Sequence, residues 1–135
     1  MNAFTTSYTR NTTLTSAAVL LIENDQFVCE ALHDILEEYG IRVLVARDGI
    51  EGETLYRTHQ HDINMVILDW RLPRQDGRVT LRKIRQLNPN VQVMISSGHT
   101  ADEVLAQLDD QRPVSFLSKP FSVDKFMDQV NRLLA

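Results

Sequence analysis

Short apolar runs separated by amphipathic stretches organise this chain. Ala17 to Ile22 is apolar throughout and runs straight into Glu23-Asn24-Asp25. A run this short and this apolar predicts a strand buried on both faces, as in a parallel sheet. Four further runs have the same character: Ile41 to Ala46, Ile63 to Asp69, Val91 to Ser96 and Val114 to Leu117. Between them the apolar period changes from continuous to helical. Val28, Leu32, Ile35, Leu36 and Tyr39 share one face, with Asp25 placed to cap the start and Gly40 to stop the end. Asp48 to Thr58 predicts a second helix with Ile50, Leu55 and Tyr56 as candidates for its inner face. Arg78 to Leu87 predicts a third, on Val79, Leu81, Ile84 and Leu87, ended by Asn88-Pro89-Asn90. Thr100 can cap a fourth reaching about Leu108, and Ser122 a fifth with Val123, Phe126, Met127, Val130 and Leu133 inward. Strand followed by helix, five times over, predicts an α/β fold: one parallel sheet with helices on both faces and right-handed crossovers.

Composition narrows this picture. The chain has 135 residues, 43% of them hydrophobic, which suits one domain with a single core, here residues 17–135. Residues 1–16 are rich in Thr, Ser and Asn, with only Phe4, Tyr8 and Leu14 as scattered apolar side chains. They are expected to form a flexible N-terminal extension. The net charge of −4 gives no basic footprint for nucleic acid. Cys29 is the single cysteine, so an internal disulfide is excluded and a reducing, cytoplasmic setting fits. No apolar run approaches the roughly 18 residues of a membrane span, and Met1 to Ser16 lacks the apolar centre of a signal peptide.

The strand ends change the picture most. In a parallel sheet every strand points the same way, so all carboxyl ends share one rim, where open α/β sheets bind ligands. Strand one ends in Glu23-Asn24-Asp25, strand three in Asp69, strand four in Ser97 and strand five in Lys119-Pro120. Each has an ordinary structural alternative. Glu23 and Asp25 can cap a helix, Ser97 before a glycine can be a turn residue, and Lys119 can be a solvated charge. Together, acids, a hydroxyl and an ammonium converge on one edge and form a candidate site.

These residues carry a family resemblance. Val19-Leu20-Leu21-Ile22-Glu23-Asn24-Asp25, then Val66-Ile67-Leu68-Asp69-Trp70-Arg71-Leu72-Pro73-Arg74-Gln75-Asp76-Gly77, then Met94-Ile95-Ser96-Ser97-Gly98-His99 and Phe116-Leu117-Ser118-Lys119-Pro120-Phe121 resemble the receiver domain of two-component response regulators, of the single-domain kind. The resemblance runs from about residue 18 to the end. It implies the flavodoxin-like (βα)5 fold with strand order 2-1-3-4-5; a member of this family is a standard example of that order.

The resemblance also implies a function. Asp69 would accept a phosphoryl group from a histidine kinase or a histidine phosphotransfer protein. The protein would then be a phosphoacceptor switch and not an enzyme in the ordinary sense. Mg²⁺ or Mn²⁺ would be held by Glu23, Asn24, Asp69 and the backbone carbonyl of Arg71. Ser97 and Lys119 would contact the phosphoryl oxygens, and Pro120 would follow a cis bond. Ser97 and Phe116 would be the switch residues, and the surface of the fourth helix, fifth strand and fifth helix would carry the output to a downstream protein target. Arg71 and His99, large side chains two positions after the acceptor and the hydroxyl residue, would tune the lifetime of the phosphoryl group. One position departs from the family pattern: Asn24 stands where the second acid is usual. An amide oxygen can ligate Mg²⁺ but brings no charge, so weaker binding is expected.

Other chemistries fit less well. A covalent phosphatase of the haloacid dehalogenase type needs a second Asp two residues after the nucleophile, and that position is Arg71. A dinucleotide site needs a glycine-rich turn after strand one, and Glu23 to Phe27 contains no glycine. His59 and His61 precede strand three with no third ligand close in sequence. The alternative that stays open is a pseudo-receiver, the same fold used as a constitutive interaction module; Asn24 is the feature that keeps it open. No DNA-binding or enzymatic module follows the fifth helix, so output through a partner protein is expected, whether the receiver is free or part of a larger chain.

Overall fold

The computed structural model describes residues 17–109 and 112–135. The extension expected over residues 1–16 lies outside them. The elements alternate as β1 (Ala18–Ile22), α1 (Gln26–Glu38), β2 (Arg42–Ala46), α2 (Gly49–His59), β3 (Met65–Asp69), α3 (Gly77–Leu87), β4 (Val93–Ser97), α4 (Ala101–Leu105), β5 (Ser115–Ser118) and α5 (Val123–Leu134). The strands form one sheet in the order β2-β1-β3-β4-β5, with every neighbouring pair parallel. This is the flavodoxin-like arrangement that the family resemblance implied.

The apolar runs divide their residues between two layers, because successive side chains of a strand point to opposite faces. Leu20, Ile22, Val66, Leu68, Val93 and Ile95 pack on one face with Tyr56 of α2, Leu81 and Ile84 of α3 and Val104 of α4. Val19, Leu21, Met65, Ile67, Met94 and Leu117 pack on the other with Cys29, Leu32 and Leu36 of α1 and Phe126, Met127 and Val130 of α5. Every residue of β1, β3 and β4 is buried, which is why these runs show no polar alternation.

Helix starts follow local chemistry. Asp25, Asp48, Asp76, Thr100 and Ser122 each accept a backbone N–H of the first turn that follows. Some inward assignments need correction. Tyr39 is 52% exposed because α1 ends at Glu38 and Tyr39 is its C-cap, already off the helical face. Ile50 is exposed because the buried stripe of α2 runs through Gly49, Gly52 and Tyr56, one residue out of step with it. Val123 opens α5 and is half exposed beside an apolar groove between α1 and α5. The helix expected to reach Leu108 ends at Leu105. Beyond it Gln107 accepts a hydrogen bond from the Trp70 indole at 2.9 Å, and Asp109 pairs with Arg78 at 2.8 Å, contacts that draw the chain back toward α3. Strand four runs from Val93 to Ser97, so Ser97 lies within the ladder, opposite Ser118.

The β3–α3 loop is latched onto α2. Arg74, the one non-glycine with positive φ among the described residues (67°), pairs with Asp48 at 3.1 Å. Gln75 donates to the Gly49 carbonyl at 3.2 Å and to Glu53 at 3.3 Å. The approach is so close that a Cβ on Gly49 would collide with the Gln75 carbonyl. Gly49→Ala is therefore expected to lower the unfolding free energy by about 1–3 kcal/mol through overpacking, even though alanine is the better helix former by about 1 kcal/mol. Urea denaturation checks this; an unchanged or raised midpoint would show that the loop yields freely.

Candidate functional site

Strand register and the two-residue alternation build the site. Ile22 is opposite Leu68, so the next residues, Glu23 and Asp69, come level at the rim. Both continue the alternation that sends Leu21 and Ile67 toward the α1–α5 layer. Glu23 is 1% exposed and Asp69 8%. Lys119 reaches them from the loop after β5, with Nζ 3.4 Å from Glu23 Oε1 and 3.5 Å from Asp69 Oδ1. Its backbone N–H donates to the Ser97 carbonyl at 2.8 Å, and the Lys119–Pro120 bond is cis, as expected.

Two carboxylates thus share one ammonium. Burial raises the Glu23 carboxyl, and its hydrogen bond to Asp69 and the charge of Asp69 raise it further, to about 7. The site sets one ammonium against two buried acids. This is the donor set that suits a hard divalent cation, which takes oxygen ligands. By this test the residues present fit a Mg²⁺ ion. Asn24 is exposed beside them and lines a cleft of about 680 Å³ with Trp70, Arg71 and His99. The Arg71 N–H donates to Asp69 Oδ1 at 3.3 Å, which fixes the start of the β3–α3 loop against the end of β3.

A smaller cavity of about 350 Å³ opens on Asp69 itself, lined by Arg71, Ser97, Gly98, His99 and Lys119. Ser97 lines it and Ser96 does not; the Ser96 hydroxyl is buried without a partner. Ser97 Oγ accepts the His99 N–H at 2.9 Å. Arg71 Nε donates to His99 Nε2 at 3.0 Å, so these two side chains close one wall of the cavity together. Phe116 is half buried against the α2–α4 layer, on β5 opposite Ile95, and its carbonyl accepts from Gln129 at 3.1 Å.

The rim therefore gathers Glu23, Asn24, Asp69, Arg71, Ser97, His99 and Lys119, while Phe116 stands behind it on β5. Arg47 escaped the sequence reading. It follows β2 and hydrogen-bonds the carbonyls of Glu23 and Asn24. A lone arginine after a strand gives no signal that would separate it from a solvated charge. The bond from the Trp70 indole to Gln107 was equally invisible. The three side chains His33, Asp34 and Glu37 lie close together on α1. Their ion pairs span 3.3 and 3.5 Å, all at the surface.

Residues 19–131 match the family described as response regulator receiver domain. The chain belongs to that family. Relatives include the transcriptional regulatory protein ZraR of Klebsiella oxytoca, 26% identical over 87% of this chain, and the sensor kinase CckA of Brucella abortus, 29% identical over 88%. This chain spans only 26% of the first and 13% of the second. The chemotaxis protein CheY of Bacillus subtilis is 24% identical, with 86% of this chain covering 96% of that protein. Among solved structures, the receiver domain of the Francisella response regulator 1452 is 30% identical, covers 87% of this chain and 95% of its own, and superposes with a TM-score of 0.73. Receiver domains are phosphoacceptor modules of two-component signalling. No helix among the described residues is long and apolar enough to cross a membrane.

Proposed function

We propose that this receiver domain is a phosphorylation-dependent switch whose acceptor is Asp69. The carrying observation is the paired burial of Asp69 and Glu23 around Lys119, with Asp69 and Lys119 lining a cavity large enough for a phosphoryl group. The donor is a phosphohistidine of a histidine kinase or phosphotransfer protein. An Asp69 carboxylate oxygen attacks phosphorus in line, the P–N bond breaks, and the histidine nitrogen leaves with the bonding pair. Lys119 orients and neutralises Asp69 and then a phosphoryl oxygen. Ser97 turns its hydroxyl from the His99 N–H to a second phosphoryl oxygen. Glu23, Asn24, Asp69 and the Arg71 carbonyl would hold the Mg²⁺ or Mn²⁺ ion. When bound, the ion supplies charge neutralisation between the acceptor and the incoming phosphoryl oxygens.

The output is a population shift. Once Ser97 moves, space opens for Phe116 to bury further, and the α4–β5–α5 surface is the part remodelled for a downstream protein target. The chain acts in the cytoplasm, with no direct role for nucleic acid or membrane. Asn24 is the one residue that favours a second reading, a pseudo-receiver that binds partners without being phosphorylated.

Three outcomes are expected. A small phosphodonor with Mg²⁺ adds one phosphoryl group by intact mass, and Asp69→Asn abolishes the gain; a wild type that gains nothing supports the pseudo-receiver. Asn24→Asp tightens Mg²⁺ binding several-fold in a titration followed by Trp70 fluorescence, because a carboxylate replaces a neutral amide; equal affinities would show that the amide costs nothing. Arg71→Ala combined with His99→Ala removes the wall over the acyl phosphate and speeds dephosphorylation several-fold; an unchanged rate would mean the pair does not shield the bond.

A further inference from the structure

The β1–α1 loop, which carries Glu23 and Asn24, is gripped from behind. Arg47 leaves the carboxyl end of β2 and lays its guanidinium under this loop. Nε donates to the Glu23 carbonyl at 3.2 Å and Nη2 to the Asn24 carbonyl at 2.6 Å. The arm has a fixed base. The Glu23 N–H donates to the Ala46 carbonyl at 3.0 Å, extending the β1–β2 ladder by one step, and the Arg47 N–H donates to Glu51 Oε1 at 2.8 Å. Within the loop, Glu23 Oε2 accepts the Asp25 N–H at 3.1 Å, and Asp25 caps α1 through the Val28 N–H at 3.1 Å. The backbone from Glu23 to Asp25 is thus pinned on both sides, and the Asn24 side chain is left over the cleft.

We propose that Arg47 is a positioning residue for cation binding at the rim: by clamping the two carbonyls it holds the side chains of Glu23 and Asn24 in the orientation a divalent cation needs. Its basis is the metal role proposed above for Glu23, Asn24 and Asp69. A guanidinium suits the task because its rigid fork meets two acceptors at a set spacing, whereas an ammonium is a single point donor. Support of this kind matters more with Asn24 than with an acid, because a neutral amide oxygen cannot be drawn to the ion by net charge. The clamp can be told from a plain charge effect by sign. A cation near the loop repels Mg²⁺, so removing a mere charge would tighten binding. Removing a positioning contact weakens it.

The test is a Mg²⁺ titration of the full chain, read by Trp70 fluorescence and by calorimetry, for wild type, Arg47→Met and Arg47→Lys. Arg47→Met is expected to bind Mg²⁺ about tenfold more weakly, the lower end of what losing an outer-shell support costs at metal sites. Arg47→Lys is expected to fall between, with the metal-free circular dichroism of all three alike. Binding by Arg47→Met that equals or exceeds wild type overturns the proposal and leaves the metal site standing. A wild type that shows no Mg²⁺ response overturns the metal reading itself, and the proposal with it. If Arg47→Met does not fold, Arg47→Lys decides alone: weaker binding supports the clamp and equal binding overturns it.

Discussion

Two carboxylates, Glu23 and Asp69, are held side by side at the carboxyl rim of a sheet buried on both faces, with Lys119 as their shared counter-charge. Crowding like charges in a poorly solvated place is costly unless they are neutralised. Here one lysine serves two acids, and burial first, then the neighbouring Asp69, pushes the Glu23 carboxyl up. In the proposed function, the same imbalance makes the rim receptive to a divalent cation and, through it, to a phosphoryl group. The strands leave no freedom to relieve the strain by moving apart, because β1 and β3 are paired in register up to the residue before the site.

Much of the surrounding structure serves to keep this rim still. Asp25 and Asp76 cap the helices that follow the two acidic strand ends. Gln75 and Arg74 latch the β3–α3 loop to α2, while the Trp70 indole ties the end of β3 to the chain beyond α4. Arg47 grips the opposite loop from β2. Loops that bind phosphoryl groups must present several ligands within fractions of an ångström, and each of these contacts removes a way for a ligand to drift.

The sheet was legible in the sequence because strands buried on both faces leave uninterrupted apolar runs, as Ala17 to Ile22 does. Glu23 and Asp69 were legible for a related reason, as acids that close such runs, while Arg71 and His99 were named only through the family resemblance. Helix faces were read less well. Tyr39, Ile50 and Val123 lie at helix ends, where spacing alone does not tell which residue still faces the sheet. The helix α4 was expected, but its end was placed too far on, because tertiary contacts of Gln107 and Asp109 override a locally sound helical pattern. Side-chain partnerships across the rim, Arg47 with the β1–α1 carbonyls and Arg71 with His99, depend on register and rotamer, which no one-dimensional pattern encodes.

The central claim is that the rim acids form one phosphoryl acceptor centred on Asp69, and its most direct test is to find the bond. The chain would be exposed to a small phosphodonor with Mg²⁺, reduced with borohydride to trap any acyl phosphate, digested and sequenced by tandem mass spectrometry. The expected result is homoserine at position 69, dependent on the metal. Trapping at Glu23 or another acid, or a metal-independent product, would contradict it.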